Sequence, residues 1–158
     1  MKHCTDHFAV VLLLAALTGC GREETPTSPT TRSFLEGVWT GTLTIQREGE
    51  PTTSGTTTWT FEVMPGTNLQ SFNVRIQSQH AFLPITTTVL SQITPGNTPP
   101  ARISTQGTYP SPRGCTASLL SVGMAETRTI DADFSGVDCP SLQHPTFTGR
   151  VQLTKSGS

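Results

Sequence analysis

From Gly37 to the end of the chain, apolar and polar residues alternate with a period of two, the pattern of strands with one face buried. The segment Gly37–Ile45 sends Trp39, Gly41, Leu43 and Ile45 to one side and Val38, Thr40, Thr42 and Thr44 to the other. A second segment sets Trp59, Phe61 and Val63 against Thr58, Thr60 and Glu62, and a third sets Phe72, Val74 and Ile76 against Asn73, Arg75 and Gln77. Strands four and five, near Ile85–Ile93 and Ala101–Tyr109, alternate less cleanly, and Pro95-Gly96-Asn97-Thr98-Pro99-Pro100 separates them. A sixth runs from Cys115 to Met124. The seventh carries Ile130, Ala132 and Phe134 opposite Asp131 and Asp133, and the last Phe147, Gly149, Val151 and Leu153 opposite Thr148, Arg150 and Gln152.

Eight such segments with short connections predict an all-β domain, an antiparallel up-and-down meander over residues 34–156. One apolar face and no covering helices favour closure into a barrel, which also removes exposed edges. A β-sandwich is the alternative. No helical period and no internal repeat is present in this region.

Composition changes the picture in one respect. Charged residues are 13% of the chain, against about 25% in ordinary globular domains, and the net charge is −1. Threonine, serine, proline and glycine supply the polarity instead. Without a basic patch, nucleic acid is excluded as a natural partner class.

The N-terminus differs from the rest. Lys2 is followed by an apolar run from Phe8 to Leu17 and then by Leu17-Thr18-Gly19-Cys20. The run is shorter than the roughly 20 apolar residues of a membrane-spanning helix. With Lys2 near its start and small residues at its end, it has the layout of a secretory leader, although Asp6 is unusual there. An ordinary cleaved leader is the alternative, but Leu17 occupies a position where such leaders prefer a small residue. The four residues Leu17–Cys20 resemble the lipobox of bacterial lipoproteins. That resemblance implies a signal peptide over 1–19, a covalent diacylglycerol on Cys20, and attachment to a membrane of the bacterial cell envelope. Gly21, where aspartate would mark inner-membrane retention, implies the outer membrane if the organism has one. The stretch Arg22–Thr31 lacks apolar residues and reads as part of a flexible tether over 20–33. Extended, its ten residues reach roughly 35 Å.

Removing the leader leaves about 139 of the 158 residues, enough for one domain. Cys4 would leave with the leader and Cys20 would take the lipid. Cys115 and Cys139 then remain, and in an exported protein that pair is most simply a disulfide.

Phe34-Leu35-Glu36-Gly37-Val38-Trp39 resembles the start of a lipocalin-type barrel, where a short helical turn leads into Gly-x-Trp on the first strand. The resemblance implies that Trp39 plugs the closed end and that the last strand pairs with the first. It covers one short motif and a strand count. The inward aromatics Trp59, Phe61, Phe72 and Phe134 are candidates to line a site for a small apolar ligand, or simply to fill the core. Small inward residues (Gly41, Ala132, Gly149) would leave volume for such a ligand, or ease strand bending.

Candidate chemistry is sparse. No nucleophile elbow, phosphate-binding loop or paired-histidine zinc motif occurs, so no enzyme, cofactor or metal site is expected. His80 and His144 read as surface histidines in proline-containing loops. Asp131 and Asp133 share a strand face, directed to solvent, and Glu48 and Glu50 read as a solubilising hairpin tip. Two functional expectations follow: a lipid-anchored barrel holding a small apolar ligand, or an envelope protein-interaction module such as an assembly factor or hydrolase inhibitor.

Overall fold

A computed structural model describes residues 32–139 and 146–157. The leader, Cys20, most of the tether and His144 lie outside the described residues. The fold is all-β, a closed eight-stranded barrel in which each strand pairs antiparallel with its sequence neighbours. The strands are β1 (Gly37–Arg47), β2 (Thr53–Val63), β3 (Ser71–Ser78), β4 (Thr86–Thr94), β5 (Ala101–Pro110), β6 (Thr116–Ala125), β7 (Thr129–Val137) and β8 (Thr146–Lys155). β8 closes the barrel on β1, with Trp39 opposite Lys155 and Ile45 opposite Gly149. A sandwich would leave four edges; here the wall has none.

The period-two pattern translates directly into an inside and an outside. Trp39, Leu43 and Ile45 of β1, Trp59 and Phe61 of β2, and Phe72, Val74 and Ile76 of β3 are all buried. β7 adds Ile130, Ala132 and Phe134, and β8 adds Phe147, Val151 and Leu153. Each buried large side chain contributes about 1.5–3 kcal/mol relative to exposure, so the interior drives the fold.

The weaker alternation of β4 and β5 has a physical cause. Ser91 and Thr105 point inward, stand opposite each other across the β4–β5 pair, and are buried. Thr105 Oγ1 donates to Ser91 Oγ at 2.9 Å, and Ser91 Oγ donates to the Ser104 carbonyl at 3.2 Å. Satisfied in this way, hydroxyls can occupy core positions that would otherwise read as apolar.

The two ends of the barrel are closed differently. At one end residues 33–36 cross the opening: Leu35 is buried against Trp39, whose Nε1 donates to the Leu35 carbonyl at 2.7 Å. Asn97, in the β4–β5 loop, fastens this segment by accepting from Ser33 Oγ at 2.6 Å and from Phe34 N at 3.2 Å. At the other end the β3–β4 connection, residues 79–85, turns inward and buries His80 and Leu83.

Two expectations are corrected. His80 is 1% exposed, not a surface residue, because its backbone lies so close to β2 that a Cβ at Gly55 would come within 2.4 Å of His80 Cα. Nor do the small inward residues of the β1–β8 seam leave volume. A Cβ at Gly41 would lie 1.9 Å from the Gln152 carbonyl oxygen, and one at Gly149 1.8 Å from that of Thr44. The neighbouring strand occupies that space, so these glycines allow two backbones to close on each other.

Candidate functional site

Trp59, Phe61, Phe72 and Phe134 all lie in the core, and the first three are brought together. Phe61 is central: its ring centroid lies 6.2 Å from Trp39, 6.2 Å from Trp59 and 6.0 Å from Phe72. Phe134 sits in a second group, stacked on Phe147 at 5.8 Å. Trp59 Nε1 donates to Thr57 Oγ1 at 3.1 Å, so even its polar edge is satisfied within the protein. These separations are those of aromatic side chains packed on one another. Clefts of about 390–550 Å³ among the described residues open on the outer wall or the rim.

The disulfide end carries more chemistry than the sequence suggests. Cys115, just before β6, is bonded to Cys139, just after β7, with Cα atoms 5.4 Å apart. The bond ties together the ends of two strands that are already hydrogen-bonded neighbours. Closing a loop with a separation of 24 residues contributes roughly 3 kcal/mol in the chain-entropy model.

Around the disulfide lie several groups with unspent polarity. Asp138 is 4% exposed; its Oδ2 stands 3.6 Å from Arg113 Nε, and its Oδ1 has no hydrogen-bond partner among the described residues. Tyr109, 1% exposed near the end of β5, has a hydroxyl that is equally unpartnered among the described residues. Burial pushes the Tyr109 phenol well above its usual range and the Asp138 charge adds to that, with Arg113 acting in the opposite sense. The phenol therefore remains a proton donor at all physiological pH values.

Beside these, Phe82 of the β3–β4 connection is overlain by two guanidinium groups, Arg47 at 4.2 Å and Arg113 at 5.9 Å from the ring centre. Its edge meets Phe147 at 5.6 Å. Arg47 also pairs with Glu50, so the acidic hairpin tip is partly a salt-bridge partner. His80 anchors the connection: Nδ1 accepts from Phe82 N at 3.1 Å, and Nε2 lies 3.1 Å from Thr53 Oγ1. A shallow cleft of about 430 Å³ runs between Arg47, Thr53, Phe82 and Arg113.

The other sequence candidates do not converge. Asp131 and Asp133 face outward on β7, and Asp131 is held by both ends of the Arg150 guanidinium across the β7–β8 pair. The hydrogen bond from Arg150 lowers the Asp131 carboxyl below its usual range. That arrangement is a wall-bracing ion pair between exposed side chains. On the outer wall of β4–β6, Leu90, Leu120 and Met124 are exposed, with Gln106 lying between Leu90 and Leu120 in the register.

Sequence reasoning missed Tyr109, Asp138, Phe82 and the two arginines. Signals were present for two of them: Tyr109 is the single tyrosine of the chain at an inward position of β5, and Asp138 immediately precedes Cys139. The convergence of Arg47 at the end of β1 with Phe82 and Arg113 from two separate connections has no local signature. No protein-family model and no curated protein sequence matches this chain.

Proposed function

We propose that this chain is a lipid-anchored lipoprotein of the bacterial envelope, held through a diacylglycerol on Cys20, whose barrel is non-enzymatic and acts through its outer surface as a protein-interaction module. The observation that carries the reading is the occupation of the barrel by its own aromatic side chains, with both ends covered by chain. A closed wall offers no strand edge for a partner to extend, so recognition would use side chains. Exposed Leu90, Leu120 and Met124 supply apolar contact area on a wall otherwise rich in hydroxyl and amide groups. The Gly37-Val38-Trp39 start and the β8–β1 closure support a lipocalin-like ancestry.

A second reading keeps the barrel as a carrier of a small apolar ligand. It is favoured by Phe82, which is only partly buried and leads through Phe147 to Phe134 at the disulfide end.

Three measurements test these readings. Metabolic labelling with a fatty acid should tag the wild-type chain and not Cys20→Ala; equal labelling would remove the anchor. Capture from detergent-solubilised envelope should return a stoichiometric protein partner, lost in Leu120→Arg/Met124→Lys, a pair of exposed changes that leaves the barrel folded. Saturable, stoichiometric displacement of an apolar fluorescent probe by fatty acids, without protein capture, would overturn the interaction reading in favour of the second.

A further inference from the structure

The strongest unassigned chemistry lies at the disulfide. Cys115 Sγ, Cys139 Sγ and a carboxylate oxygen of Asp138 lie within 4.8 Å of one another. Asp138 is nine-tenths or more buried, and its two oxygens are treated unequally: Oδ2 faces Arg113, while Oδ1 has no donor among the described residues. A buried acceptor left unmet is costly, more so on a charged group, so a carboxylate with an unmet oxygen next to two cysteines calls for a role. The nearby Tyr109 hydroxyl is a second buried polar group with no partner among the described residues.

We propose that the reduced form of this protein binds one divalent zinc-type cation through Cys115 Sγ, Cys139 Sγ and the Asp138 carboxylate, so that the disulfide and the metal site are alternative states of the same residues. Two thiolates and a carboxylate are a donor set suited to zinc, whose tetrahedral sites accept sulfur and carboxylate oxygen and leave a fourth position for water. The electrostatics close as well. Three anionic ligands on a doubly charged cation leave one negative charge, and the Arg113 guanidinium stands beside Asp138 Oδ2 to offset it. Holding the ligating carboxylate by its other oxygen is the usual outer-shell arrangement around zinc ligands. The Cα atoms, 5.4 Å apart, need little adjustment as the sulfurs separate to admit the ion.

The exchange balances. An external dithiol is oxidised to its own disulfide as the Cys115–Cys139 bond breaks, leaving two thiols. Metal binding then displaces both thiol protons to solvent. Affinity therefore rises with pH through the thiol range.

The test uses the full chain carrying Cys4→Ser and Cys20→Ser, so that only this cysteine pair remains, reduced with a phosphine and titrated anaerobically with Co²⁺ and then Zn²⁺. One Co²⁺ per chain is expected, with thiolate-to-cobalt charge-transfer absorption that Zn²⁺ abolishes, and no such signal from the oxidised chain. Asp138→Asn should weaken binding by about tenfold or more. Its oxidised form should keep the wild-type far-ultraviolet circular dichroism. Near-ultraviolet dichroism of the reduced chain, with and without Zn²⁺, guards against binding by an unfolded peptide. Absence of one-to-one binding, undiminished affinity in Asp138→Asn, equal binding by the oxidised chain, or a reduced chain that Zn²⁺ does not hold in its native fold would each overturn the proposal.

Discussion

The two ends of this barrel solve the same problem with different means. At the end crossed by residues 33–36, the polar groups that close the opening have partners: Trp39 Nε1 reaches Leu35, Asn97 Oδ1 receives Ser33 and Phe34, and Lys155 Nζ donates to the Phe34 carbonyl at 2.5 Å. Burial lowers the Lys155 ammonium below its usual range, and its Nζ lies 5.5 Å from the centre of the Trp39 ring. At the disulfide end a covalent bond ties the wall, and Tyr109 and Asp138 keep unmatched polar atoms. At the first end, among the described residues, no buried side-chain polar atom is left unmatched, and the closure serves stability. The other is stapled and retains free chemistry, which is where function is best sought.

The contrast can be broken experimentally at four points. Trp39→Ala should have the largest effect. It removes a fully buried aromatic and its hydrogen bond to Leu35, so a loss of about 3–5 kcal/mol is expected by denaturant unfolding. A much smaller loss would mean that residues 33–36 cover the barrel without stabilising it. Next, replacing both Cys115 and Cys139 by serine should lower stability by about 3 kcal/mol while the far-ultraviolet spectrum stays all-β, because the strands are paired independently of the bond. Loss of the barrel signal would show that the staple is required for closure.

Tyr109→Phe sharpens the comparison by its smallness. Deleting an unpartnered hydroxyl at constant shape should leave stability unchanged or raise it by up to about 1 kcal/mol. A loss of more than about 1 kcal/mol would show that the hydroxyl has a bonded partner after all. Smallest is the wall pair between the ends. Arg150 lowers the Asp131 carboxyl in the folded state, so the pair adds stability above the unfolded carboxylate value of about 3.9, and that stability fades as pH falls through the folded value. Arg150→Gln should therefore be slightly less stable than wild type at pH 7 and converge with it under strongly acid conditions. A constant difference across the whole range would exclude the ion pair as its source.

How much of this was legible beforehand varied with the residue. β1, β2 and β3 were clear because large apolar side chains alternate with threonine, asparagine and glutamine, and that period is the geometry of the strand itself. β4 and β5 were obscured because Ser91 and Thr105 point in while Leu90 points out. The disulfide was legible from cysteine arithmetic. His80 was misread because a polar ring beside a proline turn looks exposed; only its bonds to Thr53 and Phe82 make burial tolerable. The Arg47–Phe82–Arg113 stack and the orphaned Tyr109 and Asp138 were not legible, since each depends on side chains brought together from distant turns.

The chain by itself therefore determined the strands, their inward faces, the number needed for closure and the pairing of its two distal cysteines. These follow from local periodicity and residue chemistry, which act over neighbouring positions. Tertiary structure alone decided that the aromatics pack on one another, that the seam glycines are filled by backbone, and that one end keeps polar atoms without partners. Those outcomes depend on how closely separate strands and loops approach, and no spacing along the sequence encodes that distance.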